Sequence, residues 1–308
     1  MKDAGLQWYE YMQFTRSLVF CPLQVTFANV ATHNHFCLVR GRHVFNSKAP
    51  VIKLPAGASE EDHLALLGLL NSSVACFWMK QVFHPKSHAS QRHHPDPARA
   101  AYEFAATGLL AFPLPELGGL HDRMSRLAGE VDSCAQQRGR LLDAEFVNQA
   151  IRESQDALGL ASRMEKRWRD ADVLRERMVG MQEELDWVAY VGFGLAPIDG
   201  LIEPERYVQL SCPRGERPFE RIAGRSSTVR SGGRALSQEE GEVPAVGALP
   251  EWAEETWKRR ELLISESDAL QLIETAVFKR AWRDSEQNVA EPEYRKRKDE
   301  DDLRTWLA

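Results

Sequence analysis

The apolar period of this chain changes at Ser59, and that change limits the folds open to it. Before Ser59 the pattern is short and strand-like. QVTFANV (24–30) alternates, with Val25 and Phe27 on one face, and HFCLVR (35–40), RHVFN (42–46) and PVIKLP (50–55) follow closely. A period of two marks a half-buried strand. Gly41 stands where a turn is needed, and Pro50 and Pro55 punctuate the last run. After Ser59 the period is helical. Leu67, Leu70, Val74 and Phe77 recur at helical spacing, Trp78 widens the stripe, and Ser59 and Asp62 precede them at capping-box spacing. The pattern predicts an α+β fold in which a small, mainly antiparallel sheet packs with helices.

Asn71, Ser72 and Ser73 interrupt the helical run with three small polar groups, which marks either close packing or a functional break. QVFHPKSHASQRHHPDPARA (81–100) has no apolar period and reads as a basic surface loop. YEFAATGLLAFPLPE closes a first unit, 1–116. Over 117–195 two heptad-like seams appear, Leu120, Met124, Leu127, Val131, Cys134 and Leu174, Met178, Met181, Leu185, Val188. They predict a long helical arm folded back on itself, although ordinary amphipathic helices on a globular core would give the same spacing. Residues 196–248 read as an irregular linker, and 249–308 as a helical C-terminal segment.

Across its 308 residues the chain carries a net charge of −6, so no global positive field draws it to nucleic acid or anionic lipid. Any contact with DNA must come from a local basic face. The five cysteines, Cys21, Cys37, Cys76, Cys134 and Cys212, form no C-x-x-C unit, which argues against a disulfide framework or a Cys-rich zinc site. No apolar run approaches the roughly 20 residues needed to cross a bilayer, and MKDAGLQWYEY has no signal-peptide core. These features predict a soluble, cytoplasmic protein with no membrane partner.

The chemistry-bearing residues cluster in two places. In VATHNHF (30–36), His33 and His35 would share a face if they lay on a strand, with Cys37 continuing it and His43 approaching across a hairpin. Such a set could hold a metal, could bond the backbone of a bend together with Thr32 and Asn34, or could contact a nucleic acid. The second cluster is His84, His88, His93 and His94, interleaved with Lys80, Lys86 and Arg92. It is either a phosphate-neutralising loop or simply a basic surface. No G-x-S-x-G elbow, P-loop or H-E-x-x-H helix occurs, and VGFG (191–194) lacks a nucleotide-binding context. The paired carboxylates on the helices are expected to lie on solvated faces.

One resemblance goes further. The ordered strings WYEYMQF, VTFANVATHNHF, VFNSKAPVIKLP, LALLGLLNSSVACFWMKQV and YEFAATGLLAFPLP, then RMVGMQEELDWVAYVGFGL, GERPFE and LPEWAEETWKRRELLISESDALQLIETAVFKRAW, resemble the C-terminal part of a large adenine-specific DNA methyltransferase. The family is that of the BREX or phage-growth-limitation methylases, which are similar to fused restriction–modification enzymes. The resemblance implies a target recognition domain followed by helices that join DNA to a catalytic core. The family's S-adenosylmethionine site and N-P-P-[YF] motif belong to its N-terminal part, where a flipped adenine meets the methyl donor. No NPPY, NPPF or DPPY occurs here. The expectation is therefore a detached or truncated specificity part with no cofactor in this chain and no catalysis alone. Its implied partners are double-stranded DNA, a methyltransferase catalytic core on another chain, and other phage-defence components. The expected DNA contacts are His33, Asn34 and His35 at the bend, Asn71 and Ser72 at the helix break, and Lys80, Lys86 and Arg92 after it. The His- and Pro-rich loop departs from the glycine-rich loop expected of relatives, which weakens the case for its DNA role. The competing reading is a helical interaction or scaffold protein that docks on a partner without touching DNA. A third is a small metal enzyme using the histidines.

Overall fold

A computed structural model describes residues 21–86, 98, 100–230, 249–282 and 291–307. The strand-like region forms β1 (Leu23–Phe27), β2 (Val30–Ala31), β3 (Phe36–Arg40) and β4 (Val51–Ile52). β1 is the centre of a three-stranded antiparallel sheet, between β3 and β4. Its register sets Val25 opposite Leu38 and Ile52, and Thr26 opposite Cys37 and Val51. Opposed residues share a face. Val25, Phe27, Phe36 and Leu38 therefore line one face, which packs into the main core.

The other face of β1 is polar yet equally buried. Gln24 and Thr26 sit beneath the chain that joins β3 to β4. Gln24 Nε2 donates to the His43 carbonyl at 3.2 Å, and Thr26 Oγ1 donates to that of Pro50 at 3.0 Å. The run 42–46, expected as a strand, is part of this cover and forms no strand. Side chains from below, rather than a neighbouring ladder, help fix the backbone there.

Ser59 and Asp62 form the predicted capping box at the start of α1 (Glu60–Asn71). The polar break is a true joint. Ser72 leaves helical geometry, its Oγ donates to Leu69 O at 2.7 Å, and the same atom accepts from Ala75 N at 3.2 Å to cap α2 (Ser73–Val82). Then β5 (Tyr102–Glu103) pairs with β2, and a single turn, α3 (Ala106–Leu109), leads to the arm.

The arm contains α4 (His121–Leu141), α5 (Ala144–Glu153) and α6 (Ala157–Gly192). α6 has 36 residues and so runs for about 54 Å. It lies antiparallel to α4, whose start meets the end of α6 near Gly192 and whose Arg138 Nε donates to Ala171 O at 3.1 Å. Met124, Leu127 and Cys134 on one helix and Met178, Met181, Leu185 and Val188 on the other are buried, so the seams face the core. From Met178 to Tyr190 every residue of α6 is buried. A helix enclosed on all sides needs partners for its polar groups: Asn71 and Ser73 of the α1–α2 joint supply some, and Arg260 and Lys279 supply others from the C-terminal part, which comprises α7 (Pro218–Arg230), α8 (Glu251–Glu266), α9 (Asp268–Ile273) and the chain through Trp282. The last helix, α10 (Glu291–Leu307), packs on α5. The fold is thus α+β, a small antiparallel sheet packed with helices and followed by long helical segments. Among the described residues no helix is long and apolar enough to cross a membrane.

Candidate nucleic-acid interface

The bend Thr32–His35 is pinned from both sides. Asn34 Nδ2 donates to the carbonyls of Leu70 at 2.7 Å and Ser72 at 2.9 Å, covering acceptors left open where α1 ends. Asn71 accepts from the Phe36 N–H at 3.1 Å and donates to the Phe36 carbonyl at 2.9 Å. Arg280 reaches over both, donating to Asn34 O at 2.6 Å and to Asn71 Oδ1 at 3.0 Å. The bend, the helix joint and a residue more than two hundred positions downstream form one unit.

Beneath it runs a buried ionic network. Asp186 accepts from the Ser73 N–H at 2.8 Å and hydroxyl at 2.7 Å. Lys279 touches Glu183 at 2.9 Å, Asp186 at 3.0 Å and Glu274 at 2.8 Å, and Glu274 also accepts from the Tyr190 hydroxyl. Burial works against the Glu183 charge, but Lys279 and Arg260 outweigh it and hold the carboxyl below its usual range. For Glu274 burial prevails, helped by Glu183 and opposed by Lys279, and the carboxyl is pushed up to about 7. A second pair, Arg260 with Glu184, is fully buried, its guanidinium between the rings of Trp187 and Trp257 at 4.9 Å from each. These carboxylates correct the expectation of solvated helix faces. Their cations lie in the C-terminal part, so no local period announces them.

The space left among Asn34, Asn71, Arg217, Arg280 and Trp282 is about 10 Å³, room for one water and far too small for a flipped base or a methyl donor. Nor does VGFG fit a nucleotide: Gly192 ends α6, and Gly194 follows it at φ +70°.

The remaining expected contacts divide by exposure. His33 is buried, its Nδ1 3.2 Å from Thr32 Oγ1. Burial, then Lys80 and Arg280, lower its pKa to about 3, opposed by a hydrogen bond with the Ala276 backbone. His35 keeps solvent access, yet the crowding around its ring and the Arg280 charge bring it to about 4. The two histidines therefore differ in burial instead of sharing a strand face. Among the described residues no group of three His, Cys, Asp or Glu is placed to hold a metal. Ser72 is buried in its capping role. Lys80 is buried too, its Nζ donating to Val277 O at 2.6 Å over the ring of Tyr102. Lys86 is exposed and pairs with Glu103 at 3.3 Å. Because 84–86 bonds to 101–103, and β5 to β2, the bend and the start of the basic loop lie side by side. Arg92, with His88, His93 and His94, lies outside the described residues. Sequence reasoning passed over Arg280 and Lys279, which sit in an unremarkable FKRAW string.

Over 288 residues, 90% of this chain, the sequence is 32% identical to the adenine-specific methyltransferase PglX of Streptomyces coelicolor. The aligned region is 23% of that protein, so the chain spans about a quarter of its relative. This is homology to one part of a much larger methyltransferase. No family model matches the chain, and no solved structure matches it.

Proposed function

We propose that this chain is the target-recognition part of an adenine-specific DNA methyltransferase of the BREX, phage-defence type. The observation that carries the reading is the alignment of nine-tenths of the chain with about a quarter of such a methyltransferase. The sheet-and-helix unit supports it, since it presents a polar bend, held by side-chain bonds, beside the start of the basic loop at residues 84–86. Methyl transfer and S-adenosylmethionine belong to a catalytic core outside these 308 residues, and the partners are duplex DNA and that core. His33, Asn34, Asn71, Ser72 and Lys80, turned inward, set the shape of the bend. His35 and Lys86, both exposed, are the described members of the expected set that meet the duplex, with phosphate contacts fixing register and any base-edge contact adding specificity; Arg92, outside the described residues, keeps the phosphate role that its sequence position suggests.

The test measures binding of the full chain to short duplexes across a salt series, together with calorimetry against S-adenosylmethionine. The expected result is duplex binding that weakens steeply with salt and no heat from the methyl donor. Tight methyl-donor binding would overturn the division of labour. Capture of a catalytic core without any duplex affinity would favour the scaffold reading instead.

A further inference from the structure

No Asp or Glu occurs between Glu10 and Glu60, although 45 acidic residues in 308 would place about seven in a stretch of that length. The same stretch holds Arg16, Arg40, Arg42, Lys48 and Lys53. In a chain of net charge −6, this is a local reversal of sign.

The fold sorts these cations. Arg40 reaches the helices and is neutralised by Glu60 at 2.7 Å and Asp132 at 2.8 Å. Arg42 and Lys48 belong to the segment that covers the opposite face of the sheet; both are exposed, and Arg42 has an interaction of its own. That segment leaves β3 through Gly41 at φ +94°, a left-handed turn that suits glycine. It is held at fixed points: Gly41 N donates to Pro22 O at 2.8 Å, Gln24 holds His43, Thr26 holds Pro50, and Asn29 N donates to Lys48 O at 3.1 Å. Between these anchors Val44 is 63% exposed, beside the exposed side chains of His43 and Asn46. Lys53 lies just beyond β4, and among the described residues its buried Nζ has no hydrogen-bond partner. Among the described residues no carboxylate pairs with Lys48.

We infer that the outer cover of the sheet, residues 41–50, is a phosphate-backbone contact surface for duplex DNA, with Arg42 and Lys48 as the phosphate ligands. The inference rests on the recognition reading above and adds to it a second surface, joined to the start of β2 through the Asn29 N–H to Lys48 O bond. An anchored backbone suits the role, because little ordering entropy is lost when the duplex docks.

The experiment compares three full-length proteins on one fluorescent duplex over a series of salt concentrations: the unaltered chain, Arg42→Gln/Lys48→Gln, and Lys166→Gln/Arg169→Gln. The last pair lies on the exposed side of α6 and removes the same charge elsewhere. The slope of log affinity against log salt is expected to shrink by about 0.9 for each phosphate contact removed in the cover variant, with the arm variant unchanged. Thermal unfolding of all three should coincide, since the altered side chains are exposed. If the unaltered chain binds with a steep slope and the cover variant keeps it, this surface is wrong while the recognition reading stands. Equal losses in both variants would reduce the effect to net charge and overturn the inference. Equal competition by single-stranded RNA would make the surface a general polyanion site and overturn its assignment to duplex. Absence of duplex binding by the unaltered chain would remove the recognition reading and this inference together.

Discussion

The side-chain amide of Asn71 completes the backbone pairing of Phe36, accepting from its N–H at 3.1 Å and donating to its carbonyl at 2.9 Å. A helix-terminal residue thus stands where a neighbouring strand would stand, and it fixes where β3 begins. Asn71→Ala leaves both Phe36 groups and one Arg280 donor short of a partner, so the loss should be about 2 kcal/mol of stability. Urea unfolding monitors it. An unchanged midpoint would mean that water replaces the amide without cost.

Lys279 is the cation shared by Glu183, Asp186 and Glu274, and all four side chains are buried. Lys279→Met keeps the length of the stem and removes the charge. Three carboxylates then face one another without their shared cation, and the loss should be about 4 kcal/mol, the range seen when one partner of a buried pair is deleted. Lys279→Arg should lose less, since it keeps the charge but not the fit. Equal stability of the Met variant and the unaltered protein would show that the network contributes nothing net.

What the sequence disclosed, and what it withheld, follows the range of each interaction. The capping box at Ser59 and Asp62 and the seams of α4 and α6 are local patterns, and the structure reproduces them. The strand expected over 42–46 did not form, because buried Gln24 and Thr26 bind the covering chain from below, and an alternating pattern on β1 does not reveal that its polar face is covered too. The charges of Glu183, Glu184 and Asp186 read as solvated because Lys279 and Arg260 are 76 or more positions away. Of the candidate site, the bend and the joint were visible as polar interruptions of apolar runs. The inward direction of Asn34 and Lys80 was not, since it depends on Arg280 and on the chain around Val277.

Two buried groups should give the pH dependence of stability opposite slopes. The folded pKa of His33, about 3, lies below its ordinary 6.5. Below pH 6.5 the unfolded chain takes up a proton that the folded chain refuses. The contribution of His33 is therefore whole above 6.5 and is lost as pH falls toward 3, amounting to about 2 kcal/mol at pH 5. Glu274, raised to about 7, has the reverse sign: its contribution is whole below its ordinary 4.5 and is lost as pH rises through 7. Urea unfolding of His33→Gln and Glu274→Gln at pH 5 and pH 7 separates them. Relative to the unaltered chain, the first should tolerate acid better, and the second should lose its relative gain at pH 5. A His33→Gln profile parallel to that of the unaltered protein would show that the ring is protonated as easily folded as unfolded.

The attachment of α10 should be the most salt-sensitive feature of the molecule. None of its described side chains is buried apolar surface. It is held instead by Arg167, fully buried, which donates through Nη2 to Asp299 at 2.7 Å and Asp302 at 2.9 Å, and by Arg295, which grips Asp172 through both terminal nitrogens. The Trp168 indole N–H adds a bond to Asp299 at 3.0 Å. Burial of Arg167 depends on the helix that covers it, and among the described residues its Nε and Nη1 have no hydrogen-bond partners even then. Little net energy is expected from such a dock, because desolvation offsets much of the Coulombic gain, and salt screens whatever part stays near solvent. Hydrogen exchange at low and at molar sodium chloride is the measurement. Amides of 291–307 should lose protection as salt rises, while those of α1 and the buried stretch of α6 keep theirs. Asp299→Asn should produce the same loss already at low salt, since it removes a carboxylate that Arg167 and Trp168 share. Protection of α10 that is indifferent to both changes would mean that packing on α5, and not charge, holds the helix.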